Sequence, residues 1–190
     1  MQPGLRYRTE EHTVSLPAAD YIARFRDARR IEACCRRCPS YGHSWACPPF
    51  DFDIGTYLSG YATALLVVTK IYPAESGLLL NESLRLLRPE RLRLETQLLD
   101  MERHYGGRSF AYAGRCLHCP EGRCTRPAGI ACRYPERIRP SLEACGFDLC
   151  RTVSELFGFK LLWGTDGRIP RYLTLVSGFF HNAPTVRWNG

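Results

Sequence analysis

Seven of the ten cysteines in this 190-residue chain fall in two compact arrays, and no other feature limits its fold as strongly. The first array runs Cys34-Cys35-Arg-Arg-Cys38-Pro-Ser-Tyr-Gly-His-Ser-Trp-Ala-Cys47-Pro-Pro. The second runs Cys116-Leu-His-Cys119-Pro-Glu-Gly-Arg-Cys124, and Cys132 follows it. Thiols set this closely among turn-forming residues are how a chain grips a soft metal ion or an iron–sulfur cluster. Pro39, Gly42, Pro48 and Pro49 bar regular structure across the first array. Residues 34–50 are therefore expected as one metal-binding loop and residues 114–140 as a second.

The alternative use of cysteine, a disulfide framework, needs an oxidising compartment. The N-terminal stretch has no apolar signal-peptide core. No run of 18 uncharged apolar residues is present to cross a membrane. The expectation is a cytoplasmic protein with reduced thiols and no membrane partner. The formal net charge of +7 does not demand nucleic acid. A 4Fe–4S core or a zinc ion held by four thiolates carries about −2 in total, so one or two such sites offset part of the excess.

Spacing says more about the metal. Cys116, Cys119 and Cys124 form a Cys-x2-Cys turn with an extra limb, and Cys132 can close a four-thiolate set. The first array offers Cys35-x2-Cys38 or Cys34-x3-Cys38, with Cys47 nine residues on. Adjacent residues rarely point at one centre, so Cys34 and Cys35 compete for one position. That leaves three well-placed sulfurs. The fourth ligand is then Cys145, Cys150, His43 or Asp51, or the position stays open for a small substrate, as catalytic metals require. Structural zinc usually takes two Cys-x2-Cys knuckles per ion. The uneven gaps here favour one or two iron–sulfur clusters, with zinc as the alternative.

Other residues carry weaker signals. His43 reads as a solvated loop histidine and His118 as an outward-pointing spacer. Tyr41 and Trp45 either shield a cluster or simply pack. Cys145 and Cys150 read as small hydrophobes on helices. Arg133, Arg137 and Arg139 form either a docking face for an acidic redox protein or a solvated surface. Glycine-rich phosphate loops and dinucleotide fingerprints are absent.

Periodicity predicts an α+β fold, a single sheet backed by helices, with 1–190 as one domain. Residues 1–30 read as a charged, turn-rich lead-in. A short helix is expected over 53–60 and a buried strand over 61–72, where β-branched apolar residues run together. A helix follows over 81–105, its apolar face at 84, 87, 94, 98, 101 and 105, with Pro89 near the start of its longer piece. Ser109 to Ala113 alternates like a strand. Residues 141–144 suggest a single helical turn stopped by Gly146. Residues 148–157 suggest a helix capped by Asp148. Strands over 160–163 and 172–180 are expected to flank a turn at Thr165-Asp166-Gly167.

Two strings complete the reading: Cys-Pro-Ser-Tyr-Gly-His-Ser-Trp-Ala-Cys-Pro-Pro at 38–49 and Cys-Arg-Tyr-Pro-Glu-Arg-Ile-Arg-Pro-Ser-Leu-Glu-Ala-Cys-Gly-Phe-Asp at 132–148. Together they resemble a prokaryotic family of predicted metal-binding proteins, over roughly residues 30 to 180. The resemblance implies metal binding, as an iron–sulfur site, through Cys38, Cys47, Cys116, Cys119, Cys124 and Cys132, with Cys34 or Cys35 joining them. It supplies no reaction and assigns Pro140 to Ala144 to shaping the loop's exit. The functional expectation is electron transfer or redox support of a partner enzyme. The alternatives are an enzyme with an open iron site at the first array and a structural zinc module for interactions.

Overall fold

The computed structural model describes residues 5–111, 114, 116–120 and 123–189. Its centre is a four-stranded sheet of β1 (Tyr7–Pro17), β2 (Thr63–Pro73), β3 (Arg108–Phe110) and β4 (Leu173–His181), in the order β1-β2-β4-β3. Every pairing is antiparallel. β2 is almost wholly buried, and its alternate residues enter different cores. Ala64, Leu66 and Val68 face one side, and Leu65, Val67 and Ile71 face the other.

Helices cover both faces. On the first lie α1 (Ala18–Phe25), α3 (Ile54–Leu58) and α5 (Leu149–Phe157), bringing Tyr21, Phe25, Leu58 and Val153 onto Phe110, Val176 and Phe180. On the second lies α4 (Ser83–Tyr105), with Leu86, Leu94, Leu98 and Met101 against Leu175 and Phe179. The expected α+β architecture is present as one sheet with helices on both sides. Asp53 and Asp148 cap α3 and α5 by accepting from the N–H of Thr56 and Arg151, as Asn/Asp/Ser-type caps do.

Three local expectations are overturned. The lead-in holds an eleven-residue strand, β1, in register with the whole of β2. Its charged residues mark a sheet edge rather than a loop, because edge strands carry charge on their solvent side. Residues 160–163 form no strand, since β2 and β3 already occupy both edges of β4. The turn at 165–167 exists, but Arg168 bridges back to Thr165 and across to Leu79. Finally, α4 runs unbroken through Pro89, and Leu84 is exposed while Glu90, Arg91 and Glu95 are buried. β3 ends at Phe110 with Ala111 in an isolated bridge; the rest of the expected strand, Tyr112 and Ala113, lies outside the described residues.

Two attachments position the cysteine segments. Helix α2 (Ala28–Cys35) carries Cys34 and Cys35 on its last turn. Its entry is tied to the start of α5 by Asp27 N–H to Gly146 O (2.9 Å), Asp148 N–H to Phe25 O (2.8 Å) and Arg26 Nε to Cys145 O (2.9 Å). The second segment is closed at its base, where Ala111 donates to Pro140 O (3.0 Å) and bridges Ser141.

Candidate metal centre

The end of α2 winds directly into the first array. Arg37 N–H reaches Cys34 O (3.1 Å) and Cys38 N–H reaches Cys35 O (2.9 Å). These tight turns bring the Cys35-x2-Cys38 pair to one side. Gly42, at φ +69°, then donates to Pro48 O (2.8 Å) and folds the loop back on itself. A side chain strains this left-handed geometry, which glycine adopts freely. The return brings Cys47 to Cys38.

The two arrays line adjoining cavities. One, of about 620 Å³, is bordered by Cys34, Cys35, Cys38, Cys47 and Cys116, together with Glu143 and Cys150. The other, of about 320 Å³, is bordered by Cys116, Cys119, Cys124 and Cys132, with His43 and His118. Cys116 belongs to both linings. Cys116, Cys119, Cys124 and Cys132 all border this second space. Among the described residues, no three His, Cys, Asp or Glu side chains close to the spacing of ligands around a single ion.

Electrostatics separates the doubled cysteine. Cys35 is half-buried, and burial pushes its thiol up to about 11, with further contributions from Cys47, Cys38, Glu143 and Cys34 in that order. Cys34 is exposed, its sulfur near Arg37 (3.8 Å). Cys35 is thus the more buried member of the pair, while Cys38, like Cys34, is exposed, and all three border the same cavity. Burial also raises Cys47, against a hydrogen bond from Ser44, and Cys116, against the N–H of His118. Charge from Cys38 and Cys116 adds to the rise at Cys47, and charge from Cys119, Cys132 and Cys124 adds to it at Cys116. A bound cation removes that penalty, because thiolates are the ligand form and metal binding displaces their protons. N–H donors already aim at sulfur elsewhere: Tyr134 N–H lies 3.4 Å from Cys132 Sγ and Arg133 Nη1 lies 3.9 Å from Cys119 Sγ. Such contacts tune a sulfur-ligated centre. The donor chemistry therefore fits a soft metal or cluster at each cavity.

The side candidates fall out differently from their expected roles. His118 points inward: its side chain is only 9% exposed and pairs Nε2 with Glu95 Oε1 at 3.1 Å. Glu95 also accepts from Arg137 (3.2 Å). His43 is exposed, as expected, with Nδ1 against Tyr41 O (2.7 Å). Cys145 is a core residue whose thiol burial pushes up to about 12, whereas Cys150 is exposed at the edge of the larger cavity. Asp51 is exposed and lines neither cavity. Arg133 and Arg137 are exposed and Arg139 half-buried, and each also donates to a partner within the chain. Trp45 donates to Thr125 Oγ1 and Ile130 O (both 3.2 Å), joining the first array to the second segment.

Two important residues escaped the sequence reading. Arg126 donates to Ser44 O (2.6 Å), Cys47 O and Pro49 O. Glu143, in the single-turn helix Glu143–Cys145, lines the larger cavity. It is half-buried, yet its Oε2 has neither solvent access nor a hydrogen-bond partner. Burial pushes its carboxyl up to about 7, against its own N–H and the Ser141 hydroxyl. The only signal for either was position beside a cysteine segment, which does not tell a surface charge from an inward one.

Soft sulfur donors collected at two cavities on an α+β scaffold define a metal-binding protein. A family model described as predicted metal-binding protein (DUF2284) matches residues 23–177, so the chain belongs to that family. No curated protein and no solved structure matches it.

Proposed function

We propose that this chain is an iron–sulfur protein that holds a 4Fe–4S cluster at each array and passes electrons to or from a partner protein. One observation carries the reading: Cys116, Cys119, Cys124 and Cys132 border a single cavity beside a second one lined by Cys34, Cys35, Cys38 and Cys47. Four thiolates are the usual complement of a 4Fe–4S cluster, and N–H donors to sulfur are the usual means of setting its potential. Adjoining cavities suit transfer of an electron from one centre to the next.

A second reading keeps the first array as a reaction site. The larger cavity, at about 620 Å³, lies within the range of small-molecule sites, roughly 300–1,000 Å³. In this version the second array supplies electrons and the first binds a small substrate.

The test is the iron, sulfide and zinc content of protein purified without oxygen, with its visible spectrum. About eight irons and eight sulfides per chain are expected for two clusters. Zinc without sulfide would end the redox reading and make the chain a structural module. Spectral shifts of the reduced protein on adding cyanide would favour the second reading.

A further inference from the structure

The first array presents a puzzle of number. All four of its thiols border the larger cavity, but the adjacent Cys34 and Cys35 compete for one position, which leaves three ligands, while the second array has four. Cys34 is exposed, as Cys38 is, but its sulfur is turned toward Arg37. Cys145 is enclosed in the apolar core with Phe147 and Val153. His43 and Asp51 lie away from the larger cavity. Cys150 borders it from an exposed position on α5, beside the charges of Asp148 and Arg30.

Glu143 differs from all of these. It lines the cavity that Cys35, Cys38 and Cys47 border, as Cys34 and Cys150 do, but it alone brings a carboxylate there with an oxygen that has no partner. Its Oε2 is a sealed acceptor with nothing to accept from. A buried polar atom without a partner costs about 1–3 kcal/mol and needs an explanation such as a missing ion. The backbone holds it in place: α2 and the helix bearing Glu143 are laced together through Arg26, Asp27 and Gly146. Gly146 itself packs so closely on Ala28 that an added Cβ would lie 3.0 Å from its Cα. The seam that fixes Cys35 also fixes Glu143.

From this we infer that Glu143 is the fourth, oxygen ligand of the first array, completing a Cys35, Cys38, Cys47 and Glu143 set. The inference rests on the cluster reading above and sharpens it. A carboxylate is a harder and more exchangeable donor to iron than a thiolate. The first centre is thereby distinguished from the all-thiolate second one, with one iron that exogenous ligands can reach through the larger cavity.

The experiment uses the full chain, reconstituted with iron and sulfide without oxygen, and reads iron per chain together with the electron paramagnetic resonance spectrum. Wild type is compared with Glu143→Gln, Glu143→Cys, Cys34→Ser and Cys150→Ser. Glu143→Gln is expected to fall from about eight irons to about seven and to show the signal of a three-iron cluster. Glu143→Cys, which restores an anionic donor, is expected to return to full iron. Both cysteine variants are expected to match wild type. Full iron and an unchanged spectrum in Glu143→Gln would overturn the inference, as would loss of iron in Cys34→Ser or Cys150→Ser. Should Glu143→Gln fail to fold, Glu143→Cys decides alone: full iron with an altered signal from one centre supports the ligand, and a wild-type spectrum overturns it. Wild-type protein without iron or sulfide would instead remove the cluster reading itself.

Discussion

Arg126 couples the two cysteine segments without being a ligand to anything. Its guanidinium leaves the second segment and donates to three carbonyls of the first, around Cys47. A planar fork can reach several carbonyls at once, whereas a lysine ammonium is a point charge on a flexible stem. Hydrogen bonds involving a charged group contribute roughly 1.5–3 kcal/mol each when buried. Arg126 is only half-buried, so about 2 kcal/mol for the whole clamp is a fair magnitude. Arg126→Lys is expected to lower the unfolding free energy by about that amount and to release metal from the first array sooner than from the second. Denaturant titration alongside a chelator-release time course checks both; equal release from the two arrays would count against the clamp.

At the scale of elements, α4 is strapped to the far end of the second segment by a half-buried pair. Arg139 donates to Glu102 through Nε (2.8 Å) and Nη2 (2.6 Å), and Ser109 adds its N–H and hydroxyl (both 2.6 Å). Burial alone would raise the Glu102 carboxyl, but these donors outweigh it and hold it below its ordinary value of 4.5. A group depressed on folding stabilises above its unfolded value and loses that contribution as pH falls through its folded one. Glu102→Gln should therefore cost about 3 kcal/mol near neutrality, and the gap to wild type should close as pH drops below 4.5. Unfolding free energies of the two proteins between pH 7 and pH 3 test this, and a gap independent of pH would refute it. The same scale shows what could be read beforehand. The apolar run of β2 and the Asp caps of α3 and α5 are set by local rules, so they were legible. β1 was not, because this edge strand has only half-buried apolar residues set among charges. The burial of Glu95 and the partners of Glu102 were not legible for a similar reason: periodicity reports the apolar stripe of a helix but is silent on charged residues that find partners across the fold.

The whole molecule divides its labour between a sheet and two loops. The cores on both faces of β2 and β4 contain only one cysteine, Cys145, and none of the eight in or beside the arrays. Their packing is hydrophobic and independent of metal. The cysteine segments are different: residues 36–53, 116–120 and 123–139 contain little regular structure, and what fixes them is a few anchors such as Arg126, Trp45 and the closed base at Ala111. Burial of the Cys35, Cys47 and Cys116 thiols disfavours their deprotonation without a cation. Metal binding energy in such a site is folding energy for its own surroundings. Chelation under reducing conditions should therefore loosen the two segments and leave the scaffold folded. Amide hydrogen exchange is the measurement: protection is expected to fall across 36–53 and 116–139 and to persist in β2, β4 and the second half of α4, since local opening and global unfolding are separate events. Loss of protection throughout the sheet would mean instead that the metal sites hold up the fold, as in a small zinc module whose metal carries its stability.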